Sequence, residues 1–353
     1  MSLVLEKRET PSRALTFVVP VAAIVLALLI GAGVIAIGGA NPWAALQEMF
    51  LGAFGTSYAL SETLVKTIPL IFCGLAVGLA FKAQLWNIGA EGQLYMGAFA
   101  AGGLALAFPD GQSWWLIPLM FVAGFLAGGL WGLIPGLLKA LLNVNEIITS
   151  LLLNYVAILW VQYFIYGPWK DPKGYGFPYT AVFGEGAWLP TFGDTRIHLG
   201  LVFALVVALL IFFLLRSTKM GYEIRVIGEN PQAARYAGMN IARTIIVVFF
   251  ISGGLAGLAG MGEVSGVIHR LQPVISTGFG YTAIIIAWLS KLNPLVTVIV
   301  SFLFGGLLVG GYSLRALGLS EAIVYIIQGL ILFLLLGGEI LVRYRLHWQR
   351  RRA

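Results

Sequence analysis

The chain has 353 residues, of which 59% are hydrophobic and 10% charged, and its formal net charge is +7. A soluble domain carries about 25% charged residues, and a mean hydropathy of +0.91 points the same way. These values exclude a soluble enzyme, a nucleic-acid-binding protein and a disordered scaffold. Transmembrane helices need about 20 apolar residues each, so the composition predicts an all-α integral membrane protein with about ten spans.

Hydropathy places ten spans along the chain. Glu91 and Gln93 interrupt the third span, and the eighth is short and glycine-rich at its start. Both features are typical of broken or re-entrant helices, which membranes tolerate where protein or a cavity surrounds them. The predicted spans are residues 14–38, 62–81, 88–108, 115–138, 146–166, 198–215, 244–263, 276–290, 294–313 and 320–341.

The basic residues predict the orientation of these spans. With the N-terminus inside, sixteen of the 22 Lys and Arg residues lie on the cytoplasmic side, as the positive-inside rule requires. We therefore expect a cytoplasmic tail over 1–13, a single membrane domain over 14–341 and a basic cytoplasmic tail over 342–353. Within the membrane domain, residues 167–197 form an external loop and residues 216–243 a cytoplasmic one.

The chain shows no pattern for a metal or nucleotide site. Its single cysteine, Cys73, excludes an internal disulfide and a thiolate cluster. The three histidines stand at no metal-ligand spacing, and no phosphate-binding G-x-x-x-x-G-K-[ST] loop is present. We expect no cofactor in this chain.

A short internal repeat links the two halves of the chain. Gly128-Gly129 leads to Lys139-Ala140-Leu141, Asn145-Glu146 and an apolar span. Gly305-Gly306 leads to Arg315-Ala316-Leu317, Ser320-Glu321 and another span. Because the two junctions face opposite sides, spans two to five and seven to ten are candidates for an inverted pair, as in many transporters. Chance similarity between glycine-rich helices is the alternative.

The longest charged segment contains a short helix with its own start and stop signals. Asn230 is a favoured N-cap and Pro231 suits the first turn, since its missing N–H would have no helical partner there. Gly238 suits the left-handed residue that ends a helix. Ala233 and Ala234 provide small side chains on this helix, which a partner surface can approach closely. A solvated loop with no partner is the alternative.

Three stretches resemble one protein family. The stretch Gly221–Gly238 is similar to the coupling loop of ABC-importer permeases of the ribose, branched-chain amino acid and nucleoside group. Leu85–Gln93 and Asn145–Tyr155 resemble the same family, most closely its nucleoside branch. The residues that carry the coupling resemblance are Gly228, Glu229, Asn230, Pro231, Ala233, Ala234, Arg235 and Gly238.

This resemblance implies a type II importer permease in a prokaryotic plasma membrane, with both termini cytoplasmic. It implies a second permease subunit, a different paralogue, and a cytoplasmic ATPase that binds the ATP and Mg²⁺. It also implies an external lipid-anchored binding protein that delivers the solute. No nucleic-acid partner is expected, and membrane lipids surround the chain.

Six residues are candidates for the solute pathway. Polar residues at membrane depth are costly and usually functional, although helix capping and packing explain several of them equally well. Phe279 and Tyr281 flank the short eighth span and are able to stack on a flat base, with ordinary packing as the alternative. The six candidates are Asn87, Glu91, Gln93, Asn154, Phe279 and Tyr281.

Charged residues near the predicted outer surface suggest local ion pairs. Glu62 and Lys66 are spaced as an i,i+4 pair on the second span. Glu263, His269 and Arg270 follow one another at the end of the seventh span, and we expect them to pair among themselves. Binding of an incoming sugar and contact with the binding protein are the alternatives.

The sequence leaves other functions open. An ion-coupled secondary transporter needs a carboxylate near the membrane midplane, and the later spans hold few acids. A membrane-embedded enzyme needs a His, Cys or paired-carboxylate group, and none is visible in the sequence. Among ABC importers, ribose-like sugars, branched-chain amino acids and signalling furanosides compete with nucleosides as the solute.

Overall fold

The computed structural model describes residues 2–7, 13–320 and 322–349. The chain folds into two compact units: Met1–Thr56 with Leu307–Ala353 (unit 1), and Ser57–Gly306 (unit 2). The sequence predicts a single membrane domain over 14–341, and the boundary between the units falls inside the ninth predicted span. Glu321 of the predicted repeat lies outside the described residues.

Every predicted span coincides with a helix. Among the described residues, seven helices are long and apolar enough to cross a bilayer, and two shorter helices are also apolar. The helices are α1 (Arg13–Ile37), α2 (Pro42–Phe54), α3 (Ser57–Lys82), α4 (Ala90–Ala107), α5 (Ser113–Leu142), α6 (Glu146–Tyr166), α7 (Gly200–Ser217), α8 (Lys219–Glu229), α9 (Pro231–Tyr236), α10 (Ile241–Glu263), α11 (Phe279–Leu289), α12 (Pro294–Ser313) and α13 (Ala322–Arg343). The prediction of a helical membrane protein is confirmed.

Unit 1 pairs the first and last helices, α1 and α13. Strands β1 (Ser2–Lys7) and β2 (Tyr344–Gln349) form an antiparallel ribbon that continues from these helices. The two tails therefore lie at the same end of unit 1. This ribbon is an addition to the predicted all-α fold, which holds for the membrane helices.

Unit 2 has a core of closely packed helices. Helix α3 is buried over most of its length, and α10 packs against α4 and α5 through glycines. A Cβ atom on Gly257 would overlap the carbonyl oxygen of Gly124, and one on Gly253 would overlap that of Gly128. Small residues allow membrane helices to approach this closely, because packing supplies the attraction between them.

Two spans of unit 2 begin after irregular backbone. Residues 83–89 precede α4, and residues 269–278 precede α11; we call them the first break and the second break. Helix α11 has 11 residues and rises about 16 Å at 1.5 Å per residue, about half of a 30 Å hydrocarbon core. The predicted short eighth span is confirmed. The predicted interruption of the third span at Glu91 and Gln93 is wrong, because both residues lie in the first turn of the continuous helix α4 and the irregular backbone comes before it.

The packing of unit 2 agrees with the predicted inverted pair. Helix α3 of the first half packs on α11 of the second, and α10 of the second half packs on α4 of the first. The capping residues at the two repeated junctions also correspond. The Asn145 side chain accepts hydrogen bonds at the start of α6, and the Ser320 hydroxyl accepts one from the Ala322 N–H at the start of α13.

The charged groups of unit 2 separate into two ends. The basic end carries Lys82, Lys139, Arg216 and Lys291, each in the last turn of a helix or just after it. The loop end carries the segment 167–199, which runs beside the irregular residues that follow α10. Backbone hydrogen bonds from Phe183 to His269 and from Leu189 to Ser265 hold the two segments together.

Candidate functional site

A buried polar cluster surrounds the start of α4. The Asn87 side chain donates to Gln93 Oε1 at 3.0 Å and to Ser252 Oγ at 2.9 Å. Its Oδ1 atom accepts from Gln93 Nε2 and from the Gly89 N–H, both at 3.0 Å. The Ser252 hydroxyl in turn donates to the Ala76 carbonyl on α3 at 2.7 Å. The cluster therefore joins three helices with side-chain hydrogen bonds that use both ends of the Asn87 amide.

Helix α6 supplies the partners for the irregular backbone of the first break. Asn154 Oδ1 accepts from the Gly92 N–H at 2.8 Å, and its Nδ2 donates to the Ile88 carbonyl at 2.9 Å. Ser150 Oγ accepts from the Ile88 N–H at 3.2 Å. Backbone groups at membrane depth must be bonded within the protein, and these side chains meet that demand.

Glu91 connects the start of α4 to the start of α11. Its Oε2 atom accepts from the Gly280 N–H at 2.7 Å, and its side chain is 3% exposed. Ser276 Oγ accepts from the N–H groups of Gly278 and Phe279, both at 3.0 Å. A carboxylate is favourable at a helix N-terminus because unpaired N–H groups carry partial positive charge. Two helix starts thus meet around one buried carboxyl group.

The aromatic candidates lie beside this junction with different exposure. Phe279 is 1% exposed, and the Lys66 ammonium lies 5.5 Å from its ring centroid. Tyr281 is 38% exposed, and its hydroxyl accepts from Asn154 Nδ2 at 3.3 Å.

All six predicted pathway residues lie in or beside this one cluster. Five of them are buried, and only Tyr281 reaches the surface of the described structure. Sequence reasoning missed Ser150, Ser252, Tyr95 and Ser276, which complete the network. The available signal was a small or hydroxyl-bearing residue within an apolar span, a common source of hydrogen bonds between membrane helices.

The charged side chains at the loop end form ion pairs with residues that are far away in sequence. Lys66 pairs with Glu263 at 3.1 Å, and Glu62 pairs with Arg196 at 3.0 Å. The predicted Glu62–Lys66 pair is therefore wrong, because each residue pairs with a different helix or loop. The expected pairing among Glu263, His269 and Arg270 is wrong as well, because Arg270 lies 4.1 Å above the Tyr179 ring and His269 stacks on Trp188.

His198 lies in the loop segment before α7, beside these charges. Its ring packs against Gly266, so that a Cβ atom there would lie 2.6 Å from the imidazole. Burial, together with the positive charges of His269, Arg196 and Lys66, lowers the pKa of His198 from 6.5 to about 4. The side chain is therefore neutral near pH 7.

The predicted short helix at the basic end is α9. Asn230 Oδ1 accepts from the N–H groups of Gln232 and Ala233 at 3.0 and 3.1 Å, so the predicted N-cap is confirmed. Gly238 follows with φ +73°, the left-handed conformation expected of the stop residue.

The residues of the predicted coupling motif divide into an anchored and an exposed set. Gly228 packs against the Lys82 carbonyl at the end of α3, and Ala234 is buried. The exposed members are Glu229, Asn230, Pro231, Ala233, Arg235 and Gly238. The helix thus presents most of its surface away from unit 2.

Residues 59–336 match the family described as a branched-chain amino acid transport system permease component. The chain is 36% identical to the glucose ABC transporter permease protein TsgB13 of Haloferax volcanii, over 98% of this chain and 93% of that protein. It is 35% identical to the guanosine ABC transporter permease protein NupP of Bacillus subtilis, over 84% and 86%. It is 30% identical to the nucleoside ABC transporter permease protein NupB of Lactococcus lactis, over 89% of each chain. No solved structure matches the chain.

Proposed function

We propose that this chain, which belongs to the family of permease components of branched-chain amino acid transport systems, imports nucleosides as one subunit of an ATP-driven ABC transporter. The choice of nucleosides as the solute is supported by the similarity to two permeases, one named for guanosine and one for nucleosides, over 84% and 89% of this chain. The second candidate is a simple sugar, since a relative of similar identity is named for glucose.

The proposed pathway passes the junction of α4 and α11. Asn87, Glu91, Gln93 and Asn154 hold the two helix starts in place, and the aromatic residues Phe279 and Tyr281 lie on the α11 side. Interrupted helices at membrane depth, each with a free end turned to the middle of the bilayer, commonly form the solute site of transporters.

The energy for transport is proposed to arrive through α9. A cytoplasmic ATPase would bind ATP and Mg²⁺ and contact the exposed face of α9 around Ala233 and Arg235, so that the permease itself catalyses no reaction. The anchored residue Gly228 supports this role, because it fixes α8 against the end of α3 and so joins the contact surface to a membrane helix.

The remaining partners and the orientation belong to the same proposal. The basic end of unit 2 and both tails face the cytoplasm of a prokaryotic cell, following the positive-inside rule. A second, paralogous permease completes the pathway, and an external lipid-anchored binding protein delivers the solute at the loop end.

Uptake of labelled adenosine, guanosine, uridine and ribose, in cells with and without the gene, tests the proposal. We expect loss of nucleoside uptake in the deletion, and the same loss when ATP is depleted while the proton gradient is maintained. Loss of ribose uptake alone would move the chain to the sugar branch. Uptake that follows the gradient would contradict an ATP-driven transporter.

Gly238→Val tests the contact with the ATPase. A β-branched residue at φ +73° costs about 1–2 kcal/mol, which we expect to distort the end of α9 and to lower uptake at least about tenfold. Gly193→Val is the matched control, because Gly193 also has positive φ and open space around it but lies at the loop end. Equal uptake by both variants, at equal amounts in the membrane, would contradict the role of α9.

A further inference from the structure

The second break exposes irregular backbone on the surface of unit 2. In residues 272–278, Val274 is 61% exposed, and Gln272, Thr277 and Gly278 are half-buried. The N–H groups of Ile275 and Gly278 bond the side chains of Tyr95 and Ser276 instead of helical carbonyls. This surface differs from the helical faces around it, whose backbone is bonded internally.

The exposed segment lies near the middle of the membrane-spanning part. The Tyr95 hydroxyl accepts from the Ile275 N–H at 3.3 Å, and Tyr95 is about 18 Å of helix away from the loop end of α4 at 1.5 Å per residue. From Gly280, α11 continues for about 14 Å to the basic end. Irregular backbone at this depth is found only where it is buried in protein or lines a water-filled cavity.

Tyr281 adds a directed polar group to the same surface. Both N–H groups of the Asn154 amide are used, because they donate to the Ile88 carbonyl and to the Tyr281 hydroxyl. Since that hydroxyl oxygen accepts from Asn154, its own O–H is directed elsewhere, and the described residues hold no acceptor for it. The ring is 38% exposed, and the neighbouring Tyr155 is 59% exposed.

We propose that residues 272–278 and Tyr281 form a wall of the solute pathway, and that Tyr281 binds the flat base of the solute. Its O–H donates to an acceptor atom on the base, and its ring offers a face for stacking, which tolerates different bases. Asn154 is a positioning residue that fixes the hydroxyl. The base contact rests on the proposed nucleoside transport, whereas the water-lined wall does not.

Cysteine labelling tests the wall independently of the solute. The chain has one cysteine, Cys73, which is buried, so the background is low. Val274→Cys and Leu210→Cys form a matched pair, because Val274 is 61% exposed and Leu210, in the middle of α7, is 60% exposed. A charged, water-soluble thiosulfonate reacts with the thiolate, so we expect Val274→Cys to react at least about tenfold faster. Equal rates would overturn the proposal.

Uptake ratios test the base contact in the complete importer. We expect Tyr281→Leu to lower guanosine uptake relative to uridine uptake by at least about threefold, because the purine loses more stacking area. Tyr281→Phe should lower uptake of both, since the donor is lost. The buried Phe279→Leu is the control and should lower both equally. An unchanged ratio in Tyr281→Leu would overturn the base contact.

The two experiments separate this inference from the proposed function. If wild-type cells import neither nucleoside, the proposed function fails and the base contact fails with it. The labelling result still decides whether residues 272–278 face water.

Discussion

The first and second breaks both place irregular backbone within the membrane-spanning part, but their surroundings differ. At the first break, Asn87 and Asn154 are buried, and their side chains bond the Gly89 N–H and the Ile88 carbonyl of the irregular backbone. At the second break, Val274 and Tyr281 reach the surface. A helix that begins within a membrane is therefore no sign of a binding site by itself. The first break is closed by buried side chains, whereas the second leaves Val274 and Tyr281 at the surface, where we propose that the solute passes.

The ion pair beside the second break gives the largest expected effect. Lys66→Met leaves Glu263, 3% exposed, as a buried charge without its Lys66 partner, which costs about 3–5 kcal/mol. The double variant Lys66→Met/Glu263→Met removes both charges and should recover most of the stability. Thermal unfolding of the purified protein measures this.

Arg196→Met is the control for that pair. Its side chain is 51% exposed, and exposed ion pairs contribute about 0–1 kcal/mol. A Lys66→Met variant as stable as Arg196→Met would show that the Lys66–Glu263 pair is not a buried anchor.

The meeting point of the two helix starts should not tolerate a methyl group. A Cβ atom on Gly280 would lie 2.7 Å from the Glu91 Cα and 2.8 Å from the Ala90 carbonyl carbon. Because both neighbours are backbone, Gly280→Ala should cost about 3 kcal/mol, measured as a lower melting temperature. The control is Gly78→Ala, whose nearest neighbour is 4.0 Å away and which should match the wild type. A wild-type melting temperature for Gly280→Ala would mean that the junction is looser than described.

The stability of the structure around the first break should depend on the Asn154 amide. Asn154→Leu leaves the Gly92 N–H and the Ile88 carbonyl without their partner, and we expect a loss of about 2–3 kcal/mol at 1–3 kcal/mol per orphaned group. Gln162→Leu is the same replacement further along α6, at a half-buried amide without a hydrogen bond among the described residues. Its melting temperature should stay near the wild type, and equal losses in the two variants would argue against a sealed break.

His198 should make stability depend on pH with a small effect. Its pKa is 6.5 when unfolded and about 4 when folded, so the unfolded state binds more protons between these values. The contribution of His198 to the free energy of unfolding is complete above pH 6.5 and is lost as the pH drops towards 4. The loss is about 2 kcal/mol at about pH 5. Melting temperatures at about pH 7.5 and about pH 5 measure this loss.

His198→Gln is the control, and most of the pH dependence should disappear in it. The remainder comes from His269, whose pKa burial also lowers. A wild type with the same stability at both pH values would mean that water reaches the His198 ring.

Much of the fold follows from local sequence patterns. Each apolar run became a helix, and the glycine residues before Phe279 mark the second break correctly, whereas Glu91 and Gln93 mark the start of α4 and not an interruption within it. The cap at Asn230 and the stop at Gly238 were also predictable, because capping depends on residues a few positions apart. These signals act within one or two turns, so no tertiary contact is needed to read them.

The candidate site is only partly visible in this way. The six pathway candidates stand out as polar or aromatic residues in apolar spans. Their partners Ser150, Ser252 and Lys66 do not, because a single serine or a lysine near a helix end is ordinary in a membrane helix. Their importance depends on contacts with residues such as Glu263, which is 197 positions from Lys66.

The sequence by itself determined the helices, the short eighth span and the short capped helix α9, since hydropathy and capping are local. Only the tertiary structure decided that the starts of α4 and α11 meet at Glu91 and Gly280, and that one break is sealed while the other is open. The reason is physical: whether a polar group at membrane depth holds the fold together or remains available to a solute depends on which groups the other helices bring to it.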